Sequence, residues 1–278
     1  MDRAPDEGQR LTKRVRRDDH ELRVGALAHY EDPAQYTATY RSRVRDVAYY
    51  AKLARGVRGA VLEYGIGNGR VALPIARGGT GVFGIDHSRP MLEDLERRLW
   101  AEKPEVRERV ETRFGDMRRV RLRRRFPLVI APFNVLLHLY TREDTEQMLA
   151  RVREHLAPRG RFVMDLSVPM PEDLARDPTK PHHAPRFRHP TAGVVRYREF
   201  FDYDRARQIL FVTQEMTPVR DPRAWFAVPL AHRQFFPQEW QALLHYNGFE
   251  VEHLYGDFDG SPFQSHSEVM IVHARRAK

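Results

Sequence analysis

Glycine stands at positions 65, 67 and 69, directly after an apolar pair, Val61 and Leu62, and the carboxylate of Glu63. Glycine at alternate positions lets the backbone take φ > 0 and approach a ligand with no Cβ between them. The helix-forming residues that follow would turn their first N–H groups towards that ligand. Arg70 occupies the place where the dinucleotide fingerprint G-x-G-x-x-G needs its third glycine, and the chain has no GxxxxGK[ST] phosphate loop. Asp86 closes a second apolar run, where a carboxylate would accept from both hydroxyls of a ribose. Asp116 and Met117 close a third. Asp116 would accept from the exocyclic amine of adenine, and Met117 would pack on a ring face. His138, with an ordinary pKa of about 6.5, is the candidate base. Tyr36 and Tyr40 could bring hydroxyls to the same place from a helix ahead of the first strand. The chain has no Cys, which excludes thiol nucleophiles, disulfides and cysteine-zinc sites. His182, His183 and His189 have no acidic partner at ligand spacing, so no metal site is expected.

These residues need a sheet whose strands end at one edge. Residues 60–64, 81–86, 110–114, 127–131 and 161–166 read as five strands alternating with helices. Ser88 is placed to cap the helix after the second strand, with Met91, Leu92, Leu95 and Leu99 on its buried stripe. Thr141 caps the helix that runs to about 156. One continuous helix is expected from Pro33 to Arg55, as a lid over the cleft. Residues 1–25 mix both charge signs and read as a mobile tail, with Arg14, Arg16 and Arg17 solvated. The span 26–166 forms the α/β core. Residues 167–190, rich in Pro, His and Arg, read as irregular, and three antiparallel strands follow at 194–203, 208–216 and 225–236. The insertion 167–236 would roof the site, pair two copies as a homodimer, or both. Residues 237–278 supply a last helix and a hairpin.

The 278 residues carry a net charge of +9, with Lys only at 13, 52, 103, 180 and 278. The cations are spread along the chain apart from Arg118 to Arg125, so nucleic acid is disfavoured as a partner and an anionic small molecule is preferred. No apolar run is long enough to span a membrane and no secretory signal is evident, so a cytoplasmic protein is expected.

The pattern E-x-G-x-G-x-G, the acidic end of the second strand and the final hairpin resemble class I S-adenosylmethionine (SAM) dependent methyltransferases over residues 34–276. The resemblance implies a Rossmann-like sheet of seven strands, the last antiparallel, with the β insertion after strand five. It implies SAM as cofactor, held by Glu63, Gly65, Gly67, Gly69, Asp86, Met91, Asp116, Met117 and Phe133. Within the family the chain is similar to small-molecule N- and O-methyltransferases, including nucleotide-sugar N,N-dimethyltransferases, in which a lid tyrosine (Tyr36 or Tyr40) and a histidine after strand four (His138) lie near the acceptor. The loop PFNVLL is unlike DPPY or NPPF, which disfavours adenine-N6 or glutamine as acceptor. The alternatives are an RNA methyltransferase using the Arg-rich surface and a non-catalytic SAM-binding protein.

Overall fold

The computed structural model describes residues 20–277. In chain order the helices are α1 (His20–Leu27), α2 (Pro33–Tyr40), α3 (Arg45–Arg55), α4 (Ala72–Arg77), α5 (Arg89–Trp100), α6 (Pro104–Arg107), α7 (Arg142–His155), α8 (Pro171–Leu174) and α9 (Pro237–Tyr246). The strands are β1 (Val61–Tyr64), β2 (Val82–Asp86), β3 (Val110–Phe114), β4 (Phe126–Ala131), β5 (Leu156–Ser167), β6 (His182–His189), β7 (Gly193–Asp204), β8 (Ile209–Pro218), β9 (Phe226–Arg233), β10 (Phe249–Tyr255) and β11 (Val269–Arg276).

Seven strands form one sheet in the order β10-β11-β5-β4-β1-β2-β3. Strands β1 to β5 are mutually parallel, and β11 runs antiparallel to both β5 and β10. This is the seven-stranded sheet with an antiparallel last strand that the resemblance implied. Every residue of β1 is buried, as expected for a central strand covered on both faces. One face packs on α7 and α9 through Met148, Leu149, Trp240 and Leu244; the other packs on α3, α4 and α5 through Tyr50, Ile75 and Leu95. Strand order reverses between β1 and β4, which opens a crevice at the carboxyl ends of the strands. Gly84 lets the turn after β1 lie on β2, since a Cβ there would sit 2.1 Å from Ile66 Cδ1.

A second sheet, order β6-β7-β8-β9, follows β5. Residues 182–189 are its edge strand rather than the irregular segment expected. The register slips between Ala184 and Phe187, where Pro185 would break a regular ladder, and an edge strand tolerates that. Two more expectations are corrected. Residues 20–25, assigned to a tail, are helical: Leu22 is buried, and Gly25 lets α1 lie against β9, because a Cβ there would come within 2.8 Å of Ala231. Residues 1–19, with Arg14, Arg16 and Arg17, lie outside the described residues. The single helix expected over 33–55 is two, α2 and α3, interrupted at 41–44. Val44, within the break, is 60% exposed. The break turns the Arg43 carbonyl and Asp46 together towards Arg70. Strand β5 also starts at Leu156, earlier than read, because Leu156 already pairs with Phe126. Among the described residues no helix is long and apolar enough to cross a membrane.

Candidate active site

The turn after β1 uses all three glycines at positive φ: 72° at Gly65, 53° at Gly67 and 82° at Gly69. At Gly65 a Cβ would also fall 2.2 Å from Val135 Cγ2, so the turn lies against the loop after β4 with no room for a side chain. The turn, the ends of β1 and β2 and the loop after β4 enclose a cleft. Glu63, Gly65, Gly67, Asp86, Met91, Met117, Phe133 and His138 all line it, and Tyr30 and Tyr36 reach it from above.

Glu63 is 2% exposed and its Oε2 has no hydrogen-bond partner. Burial pushes its pKa well up, against the pull of Arg70. Asp86 accepts from Gly67 N through Oδ2 (2.7 Å) and from Ser88 N through Oδ1 (2.8 Å). Burial raises its pKa, while those N–H groups hold the rise back. Each oxygen keeps a lone pair for a further donor. Ser88 caps α5 as read, accepting from Met91 N.

Asp116 is placed differently. Its carboxylate is gripped by Arg118, which also donates to Asp144 at 2.6 Å, and Asp116 lines a neighbouring cavity under α1 rather than this cleft. Met117 and Gly115 stay in the cleft wall. An orphaned buried carboxylate, a second carboxylate at the end of β2 and an apolar far end fit SAM: an amino acid head with an ammonium, a ribose and an adenine.

Beside the cleft lies an aromatic pocket lined by His29, Tyr30, Tyr36, Tyr40, Phe133 and His232. The ring centroids of Tyr36 and Tyr40 are 4.9 Å apart, and Tyr40 meets Phe133 edge-on at 4.8 Å. Tyr40 OH bonds His29 Nε2 at 2.8 Å. His138 is also present, but both its ring nitrogens are engaged: Nε2 with Tyr30 OH at 2.7 Å and Nδ1 with Tyr140 OH at 3.2 Å. Burial drives its pKa well down, with His232 adding to the effect. The imidazole is neutral at pH 7 and weakly basic, and the atom it presents to the cleft is in effect the Tyr30 oxygen. Sequence reasoning missed Tyr30 and His232, whose partner His138 is remote in the chain, and His29, whose partner Tyr40 is only 11 residues on. It used Arg70 only to exclude a dinucleotide. Yet Arg70 bonds Asp46 and the Arg43 carbonyl, with its guanidinium 4.2 Å from the Phe133 ring centroid.

The buried imidazoles have a measurable consequence. Burial pushes His29, His155 and His273 down to about 4 and His232 to about 3. An unfolded imidazole titrates near 6.5, so below that pH the unfolded chain binds more protons and stability falls as pH drops towards 4. Glu63, Asp86 and Asp165 are raised and pull the other way, but the depressed imidazoles, His138 included, outnumber them. The expected thermal midpoint therefore falls between pH 6.5 and 4, with His29→Gln flattening part of the slope. A midpoint that rises over that range would contradict this balance.

Residues 61–160 match a family described as "Methyltransferase domain". The cypemycin N-terminal methyltransferase of a Streptomyces species is 26% identical, the match covering 76% of this chain and 81% of that protein. The structure of the CcbJ methyltransferase from Streptomyces caelestis superposes with a TM-score of 0.76 at 22% identity, covering 91% of this chain and 99% of that one. SAM-bound CalS10, an amino pentose methyltransferase from Micromonospora echinaspora, gives 0.64 at 22% identity, covering 86% and 96%. The chain carries a methyltransferase domain of the S-adenosylmethionine-dependent class.

Proposed function

We propose that this chain methylates N or O of a small metabolite by in-line displacement. The observation that carries the reading is the aromatic pocket, which shares Tyr30, Tyr36 and Phe133 with the cofactor cleft as a common wall. When bound, SAM supplies a methyl already activated on a sulfonium, so the residues around it need only orient an acceptor and exclude water. Orientation of that kind contributes up to roughly 7–11 kcal/mol. Tyr36, its pKa pushed up to about 12 by burial, stays protonated at neutral pH and can donate or accept one hydrogen bond. His29 and His232 stay neutral, and a buried neutral wall favours an amine in its uncharged, nucleophilic form. A polar cleft of about 780 Å³ adjoins the pocket through Phe133, Asn134 and Arg43, with room for the rest of an acceptor. Arg43 and Arg45 line it together with the carboxylates of Asp46, Asp165, Asp257 and Glu268, and Arg45 is paired with Asp257 at 2.9 Å, so the lining does not single out an anionic acceptor.

Three of the six arginines between 118 and 125 are already paired with carboxylates, which reduces what the stretch offers nucleic acid. Arg118 is paired with Asp116 and Asp144, Arg121 with Glu154 and Arg124 with Glu111. The test is calorimetry with SAM and its demethylated product, then transfer of tritiated methyl to a panel of amino sugars, peptide N-termini and phenols. Micromolar binding with label on an amine or hydroxyl is expected. Binding with no transfer to any acceptor would point to a non-catalytic SAM-binding protein, and absence of binding would remove the reading.

A further inference from the structure

Phe133 and Asn134, between β4 and the 3-10 turn Val135–His138, are consecutive non-glycine residues in the left-handed region, at φ 58° and 62°. Each costs on the order of 1 kcal/mol or more, and a pair persists only where its surroundings over-determine it. Two side-chain latches from β5 do so, beside a backbone bond from Asn134 N to the Asp165 carbonyl at 3.3 Å. Asp165, buried in β5, accepts from Phe133 N with both oxygens, at 2.9 and 3.0 Å, and from Tyr50 OH of α3 at 2.6 Å. Two residues on, Ser167 and Asn134 exchange a pair of bonds: Asn134 Nδ2 donates to Ser167 Oγ at 2.9 Å, and Ser167 N donates to Asn134 Oδ1 at 2.7 Å. The Asn134 amide is thus consumed in holding the backbone. What the strained turn delivers is the Phe133 ring, set in the wall common to the cofactor cleft and the aromatic pocket, against Tyr40 on one side and Arg70 on the other.

We propose that Asp165 is a positioning residue for methyl transfer: through the Phe133 N–H it holds the Phe133–Asn134 turn in its left-handed form and so sets the wall at which acceptor meets cofactor. The proposal rests on the methyl-transfer reading above. Asp165 lines neither the cofactor cleft nor the aromatic pocket, so its replacement leaves those two surfaces intact; it does line the polar cleft beyond Phe133 and bonds Tyr50, and exchange at Phe133 is the readout that separates the turn from those contacts. An acceptor-only side chain is needed because two donors, Phe133 N and Tyr50 OH, converge on it. An asparagine turned with its oxygen in the Oδ1 position keeps both of those bonds but sets an NH₂ against the Phe133 N–H, so it replaces the carboxylate only in part.

The test compares wild type, Asp165→Ala and Asp165→Asn in three readouts. These are SAM affinity by calorimetry, kcat with the acceptor that the tritium screen returns, and hydrogen exchange at the Phe133 and Asn134 amides by NMR. In Asp165→Ala the expected results are at least tenfold faster exchange at Phe133, at least a tenfold loss of kcat, and a SAM Kd within threefold of wild type. Asp165→Asn is expected to recover part of both losses. The proposal is overturned if kcat in the alanine variant is unchanged, if SAM affinity falls as far as kcat, or if exchange at Phe133 does not move. Should the alanine variant not fold, an asparagine variant equal to wild type in both kcat and exchange overturns it as well. Failure of the underlying reading looks different: wild type itself transfers no methyl, while exchange at Phe133 still reports whether Asp165 latches the turn.

Discussion

Glu63→Gln is expected to weaken SAM binding by about 10- to 100-fold and, in the ligand-free protein, to raise the thermal midpoint. The two effects have one cause. The Glu63 carboxylate is buried beneath the glycine turn and its Oε2 has no partner. Burying an unpaired carboxylate costs several kcal/mol, and the group escapes part of that by holding its proton. A cationic ammonium brought to it would restore the charge and gain a charge-assisted bond, worth about 1.5–3 kcal/mol, which sets the range of affinity loss. The pH dependence has a definite sign. The folded pKa lies above the unfolded value, so stability of the ligand-free protein falls as pH rises from about 4.5 through the raised value. Binding strengthens over that same interval, because only the ionised form meets the ammonium. Glutamine removes both trends. Calorimetry for affinity and differential scanning for the midpoint, each as a pH series, check this. A SAM affinity within threefold of wild type, or a lowered midpoint, would contradict it.

The parts of this fold that were legible in the sequence are those whose determinants are neighbours in the chain. The strand–turn–helix from Val61 to Arg77, Asp86 at a strand end, the Ser88 cap and the antiparallel pair β10 and β11 are each written within fewer than thirty residues. The candidate site is legible only on its cofactor side, for the same reason. The aromatic pocket is assembled from α2, the loop after β4 and the second sheet. Its decisive bonds span 108 residues for Tyr30 with His138 and 115 for Tyr50 with Asp165. Asp165 sits in the run RFVMDL and reads as one polar residue in a core strand; only Phe133, 32 residues earlier, gives it a task. His138 was selected by residue type, but its reactivity is set by what surrounds it: burial and two tyrosine hydroxyls occupy and weaken the base that the type suggests. Asp116 was chosen by position, and the nearby Arg118 redirected it.

Arg70→Ala is expected to cost about 3 kcal/mol or more of stability. Removing one member of a buried ion pair leaves the other desolvated and alone, and that costs about 3–5 kcal/mol. The Arg70 side chain is 17% exposed and that of Asp46 5%. At about 2–3 °C per kcal/mol for a chain of this size, the midpoint should fall by roughly 6–15 °C. Arg70→Lys should recover little, because the site uses a planar fork: Nη1 serves both Asp46 Oδ1 and the Arg43 carbonyl at 3.1 Å, Nη2 serves Asp46 Oδ2, and the flat face lies on Phe133. The effect on function should exceed that on stability. Arg70 follows the last glycine of the cofactor turn, and its fork is where that turn, the break between α2 and α3, and the Phe133 wall are joined. Freeing it loosens the lid helix that carries Tyr36 and Tyr40 from the loop that faces the cofactor. A double-mutant cycle with Asp46→Ala separates the two contributions. If the pair accounts for the stability loss, the double variant should be little worse than either single one. Turnover should fall further in Arg70→Ala than in Asp46→Ala, because only the first also removes the contact with Phe133. Equal turnover in the two single variants would mean that the guanidinium acts on the site through its ion pair alone.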